Sequence, residues 1–152
     1  MLNLSKDQIG SIFSNVLAEV VSKTTGISLN IIEKDNGLDE LIGLVNLNGN
    51  NHGMILISAG YATIRTLSAS MTGVLRNEVT KDDIHDTLCE LVNMTAGNAK
   101  LRFNSAEEMY TLSPPFIISG EDMSIISKNR VNLITRCLTG EGITLKLNIV
   151  FY

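Results

Sequence analysis

Two long stretches of this chain carry the same helical pattern of apolar residues, and each opens on the same kind of start signal. In the first, Ser5 stands three residues before Gln8 as a capping box, and Ile9, Ile12, Phe13, Val16, Leu17, Val20 and Val21 then recur at three- and four-residue spacing. This predicts a helix over about 6–24, closed by Thr24-Thr25-Gly26. In the second, Thr80 and Asp83 form the candidate capping box for a helix predicted over about 82–103. Residues 14–26 (SNVLAEVVSKTTG) and 85–97 (HDTLCELVNMTAG) agree at five of thirteen positions: Leu17 with Leu88, Glu19 with Glu90, Val21 with Val92, Thr24 with Thr95 and Gly26 with Gly97. An amphipathic helix must bury its apolar stripe against something. Two matching helices, each followed by strand-like runs, point to one domain over 1–152 with pseudo-twofold repeats at about 5–75 and 80–152.

The runs between the helices supply the sheet. Ile27, Leu29 and Ile31 alternate with Ser28 and Asn30, which predicts a strand before an Asp35-Asn36-Gly37 turn. Leu41 to Leu47 and Met54 to Ile57 read as strands joined by a hairpin at Asn48-Gly49-Asn50-Asn51. Gly60 to Met71 reads as a short helix ending at Gly73. Pro114-Pro115 breaks the chain before a short strand at Phe116–Ser119. Two strands close the sequence: Val131, Leu133, Thr135 and Cys137 in one, then Ile143, Leu145, Leu147, Ile149 and Phe151 with Thr144, Lys146 and Asn148 on the other face. Helix, three strands, helices and strands in that order define an α+β fold on an antiparallel sheet.

Composition excludes several function classes. The 152 residues suit a single domain and need no disulfide or metal to bury a core. A net charge of −4 and 5% aromatics argue against a nucleic-acid surface, which needs clustered cations or stacking rings. Cys89 and Cys137 form no CxxC pair, so neither a zinc site nor a disulfide framework is expected. Lys6 and Asp7 fall where a signal peptide would be apolar, and no run nears the roughly 18 residues of a membrane span, so a reducing cytoplasm is expected.

The second helix carries the chemistry. At about 100° per residue, Ile84, Leu88, Leu91, Val92, Thr95 and Ala99 fall on one arc and form its buried face. Asp86, Glu90, Asn93 and Gly97 fall within about 60° of each other on the opposite arc. Asparagine is a mediocre helix former with no reason to sit on a merely solvated face. A glycine beside it leaves room for another backbone. Glu90 and Asn93, three residues apart, can be touched by one partner. A carboxamide both donates and accepts hydrogen bonds, so it can orient a water without adding charge.

The pattern Asp86-x-x-x-Glu90-x-x-Asn93-x-x-x-Gly97, continued by Asn98-Ala99-Lys100, resembles the signature helix of the CheC/CheX/FliY phosphatase family. The order of elements and the length extend the resemblance over essentially the whole chain. Members of the CheC type carry the Glu-x-x-Asn pair in both halves; here the first half has Glu19 and Ser22, so a single site remains and the chain is most similar to CheX. The resemblance implies a phosphatase acting on the phospho-aspartate of a CheY-like response regulator in chemotaxis. It implies that Asn93 aligns the attacking water and that Glu90 engages the receiver's active-site lysine. It implies Mg2+ carried by the receiver, no cofactor or metal held by this chain, and a homodimer joined sheet to sheet.

Asp86, Met94, Gly97 and Lys100 are candidate partner contacts around that pair, each with a plainer reading. Asp86 is also a helix acid near a positive dipole end, Met94 a core edge, and Lys100 a solvated lysine. Glu19 reads as a surface acid, Cys89 and Cys137 as core thiols, and His52 and His85 as lone histidines. The alternative to an enzyme is a non-catalytic receiver-binding adaptor, or a dimerising module if the stripe is buried.

Overall fold

The computed structural model describes residues 3–32, 37–103, 110–128 and 131–152. Helices α1 (Lys6–Thr25), α2 (Tyr61–Thr72) and α3 (Lys81–Lys100) pack on one face of a seven-stranded sheet. Its strands are β1 (Asn30–Ile32), β2 (Leu41–Gly49), β3 (Gly53–Ala59), β4 (Tyr110–Leu112), β5 (Phe116–Ser119), β6 (Asn132–Gly140) and β7 (Ile143–Phe151). Every strand pair is antiparallel, so the α+β class read from the sequence holds.

Both capping boxes form. The Ser5 hydroxyl accepts from the Gln8 amide at 3.1 Å, and the Gln8 side chain accepts from the Ser5 amide at 2.8 Å. Thr80 and Asp83 repeat the exchange at 3.1 and 2.8 Å. Gly26 and Gly73 close α1 and α2 in the left-handed conformation.

The sheet runs β1-β6-β7-β3-β2, with β4 and β5 both alongside β2. Exchanging the halves of the chain (β1 with β5, β6 with β2, β7 with β3) leaves that order unchanged. Each half lends an outer strand to the other half: β1 pairs with β6, and β5 pairs with β2. The centre is the β3–β7 pair, where Ile55 faces Ile149 and Ile57 faces Leu147. These four side chains join the helices in the main core. On the other face a smaller cluster of Ile42, Leu44, Leu56 and Val150 is covered by Leu38, Met123 and Ile125. That cover buries Asn148 on the face its alternation marks as polar.

Two expectations need correction. The strand read over 27–31 starts only at Asn30, because earlier amides are satisfied by side chains: Ile27 donates to the Thr25 hydroxyl at 3.1 Å and Ser28 to the Glu141 carboxylate at 2.6 Å. The helix read to 103 ends at Lys100, where bonds three residues apart tighten the last turn (Leu101 to Asn98, Arg102 to Ala99). Phe103 keeps the apolar rhythm only because its ring packs on Phe13, centroids 5.9 Å apart. Strand β4 is too short to read from three residues. The two closing strands β6 and β7 are interior, and the edges of the sheet are the short strands β1, β4 and β5. Asp35 and Asn36 of the predicted turn lie outside the described residues.

Candidate functional site

The site is one face of α3, and its position is set by three anchors. The Thr80–Asp83 box fixes the start. The Thr80 amide, which donates to the Asp83 carboxylate at 2.8 Å, and then the Thr80 side chain beside it hold that carboxyl below its ordinary range. The middle is seated on β2, where Gly43 lets the helix come close: a Cβ there would lie 2.8 Å from Leu88 Cγ and 3.1 Å from the Leu88 carbonyl oxygen. Near the end, the buried Tyr110 hydroxyl of β4 donates to the Ala96 carbonyl at 2.8 Å. Burial pushes that phenol well above its ordinary pKa. Ile84, Thr87, Leu88, Leu91, Val92, Thr95, Ala96 and Ala99 are all buried, which includes every residue assigned to the inward arc from the sequence.

The opposite arc faces out. Asp86 and Glu90 are exposed, while Asn93, Gly97 and Lys100 are half-buried. Among the described residues, no hydrogen bond or ion pair of this chain engages the side chains of Asp86, Glu90, Asn93 or Lys100. Asp86, Asn93 and Lys100 recur every seven residues and so stand nearly in line, with Glu90 and Gly97 beside them. Gly97 is not needed by the fold: a Cβ there would meet nothing nearer than Leu112 Cδ1 at 4.0 Å. A helix-interior glycine costs roughly 0.5–1 kcal/mol relative to alanine, and no contact within the described chain offsets it.

The remaining candidates divide. Met94 is half-buried, packs on the core and also lines a cleft between α1 and α3. Glu19, read as a surface acid, is ion-paired with Arg102 at 2.6 Å, and Ser22 is exposed. Cys137 is buried and Cys89 half-buried. Burial and then the nearby Asp86 charge push the Cys89 thiol up, which makes it a poor nucleophile. The His52 ring lies over Tyr152, and the buried Nε2 of His85 has no hydrogen-bond partner among the described residues. Among those residues no group of three or more His, Cys, Asp or Glu is placed to hold a metal, and no helix is long and apolar enough to cross a membrane. Sequence reasoning missed Gly43 and Tyr110, which position α3. Nothing local marks Gly43, since its meaning lies in a helix 45 residues away (88 − 43).

Fold and stripe together define a small α+β protein with a carboxylate–carboxamide helix face turned outward. Residues 41–137 match the chemotaxis phosphatase CheX family, and the chain belongs to that family. The matched stretch contains all of α3 and excludes α1. No curated protein matches the chain by sequence. Among solved structures, the chain is similar to chemotaxis protein CheX of Vibrio vulnificus, with TM-score 0.83 and 19% identity over 98% of this chain and 99% of that one. It is similar to a CheC-like superfamily protein of a Shewanella species, with TM-score 0.79 and 21% identity over 95% and 97%. It is also similar to the CheX of Borrelia burgdorferi, solved in a complex with CheY, BeF3 and Mg2+, with TM-score 0.76 and 21% identity over 93% and 96%.

Proposed function

We propose that this chain is a phosphatase for the phospho-aspartate of a CheY-like response regulator. The observation that carries the reading is the pair Glu90 and Asn93, adjacent on an outward helix face and unengaged by hydrogen bond or ion pair among the described residues. Asparagine is a mediocre helix former, and at this position it serves no contact among the described residues, which supports a role toward a partner. The family match supports phosphatase chemistry, and the Borrelia CheX–CheY complex supports a receiver as the partner.

In the proposed step, Asn93 enters the receiver's site and its carboxamide orients a water in line with the acyl phosphate. The water oxygen attacks phosphorus, the bond to the aspartate oxygen breaks, and inorganic phosphate leaves. Glu90 pairs with the receiver's active-site lysine and sets the docking register. Mg2+ belongs to the receiver in this scheme, and this chain contributes position. Asp86, Met94, Gly97 and Lys100 form the surrounding contact, with Gly97 as the flat spot for close approach. A homodimer is part of the proposal, and it has to use the short edges, where Phe116 and Ile118 are exposed apolar residues.

The test is phosphate loss from purified CheY-like receivers of the same genome, with the chain and with Asn93→Ala. Faster loss that disappears in the variant supports the enzyme. Binding without acceleration leaves the adaptor reading. The exposed stripe counts against a purely dimerising module that buries it.

A further inference from the structure

We infer that the cleft between α1 and α3 is a second docking contact, which takes one large apolar side chain carried beside the receiver's acidic phosphorylation site and so selects among receivers. This rests on the phosphatase reading and extends it to the first half of the chain. The cleft has a volume of about 160 Å³; Val16, Val20, Met94 and Leu101 supply its apolar lining, and Glu19, Lys23, Asn98 and Arg102 its polar lining. Sites for small molecules typically run roughly 300–1,000 Å³, so this one suits a side chain better than a cofactor.

Three observations set its occupant. The cleft is continuous with the proposed contact: Met94 follows Asn93, and on the wheel Met94 and Leu101 lie only about 20–40° beyond Glu90. A partner that touches Glu90 therefore reaches the cleft without turning. Leu101 is 77% exposed, an apolar lip at the end of α3 with little of its surface covered. At the rim the Arg102 charge is matched by Glu19, and Lys23 is left as the cation that complements a receiver surface made acidic by its phosphorylation site. Glu19 acts here as a positioning residue. Its ion pair with Arg102 is too exposed, at 43% and 53%, to matter much for stability. It does tie α1 to the turn that carries Leu101. The acid that echoes Glu90 has thus become part of the cleft's frame.

The experiment measures binding of beryllofluoride-loaded CheY-like receivers and their turnover, using the full chain, Leu101→Ser, Lys23→Glu and Asn93→Ala. Both substituted cleft residues are exposed, so these variants fold. Leu101→Ser and Lys23→Glu are expected to weaken binding and raise KM about tenfold, the scale of one interface side chain, with kcat within about twofold of the parent. Asn93→Ala is expected to do the reverse. Unchanged binding and KM in both cleft variants, with Asn93→Ala inactive, would overturn the cleft and leave the phosphatase reading standing. If the parent binds a receiver but turns none over, the catalytic reading falls and the same binding comparison still decides the cleft. If the parent binds no receiver, both fall.

Discussion

At the scale of single residues, Asn93 and Gly97 separate function from stability. The Asn93 carboxamide makes no hydrogen bond among the described residues, so its removal should leave folding untouched. Asn93→Ala is expected to keep its melting temperature and change stability by less than about 0.5 kcal/mol. Its receiver dephosphorylation is expected to drop by at least about 100-fold, the scale of a misplaced reacting group. Gly97→Ala is expected to act the other way. The added methyl meets only Leu112 at 4.0 Å, so urea unfolding should show a gain of roughly 0.5–1 kcal/mol from helix propensity. Receiver binding should weaken as the flat spot fills. A loss of stability in Gly97→Ala would show that the glycine serves the fold after all.

At the scale of elements, α3 depends on its two ends. Thr80→Ala removes the hydroxyl that accepts from the Asp83 amide at 3.1 Å, and chemical unfolding should register a loss of about 1 kcal/mol. The same cap carries a pH dependence. The Thr80 amide and hydroxyl lower the Asp83 pKa from its ordinary 3.8, so as pH falls the unfolded chain takes up this proton first. The cap's contribution is therefore present above the ordinary carboxylate range and is lost as pH drops through 3.8 towards the lowered folded value. Asp83→Asn is expected to flatten that part of the acid unfolding curve, and an unchanged curve would count against the cap. At the other end, Tyr110→Phe deletes the bond to the Ala96 carbonyl, with an expected cost of about 0.5–1.5 kcal/mol. The caps and the inward arc were legible because both are local: they depend on residues three or four apart. The start of β1 and the end of α3 were not. Glu141, remote in sequence, holds the Ser28 amide before β1, and Phe103 past the end of α3 owes its apolar place to the equally remote Phe13 ring.

At the scale of the whole molecule, the interleaved sheet makes the two halves one cooperative unit, since neither half holds its own outer strand. The helix layer is set against this sheet at Gly43. Gly43→Ala would drive a methyl against the Leu88 backbone carbonyl and side chain, 3.1 and 2.8 Å away. Overpacking of this kind costs typically about 1–3 kcal/mol. Because the shift would fall on the turn that carries Glu90, a loss of receiver turnover larger than the folded fraction explains is also expected. Equal stability of Gly43→Ala and the parent, measured by thermal unfolding, would show that the helix layer has slack.

The sequence alone determined the helices, their caps, the hairpin, the two long closing strands and the wet face of α3. These follow from periodicity and capping, which act over a few residues and are written in them. The Glu90–Asn93 pair was legible for the same reason, since one helix places both side chains. Only the tertiary structure decided that the closing strands lie inside the sheet, that β1 and β5 cross to the opposite halves, that Tyr110 braces α3 and that Glu19 turns to Arg102. Those outcomes depend on which apolar faces meet. A strand with one buried face can satisfy the same alternation beside several neighbours, so the choice belongs to the packed core as a whole.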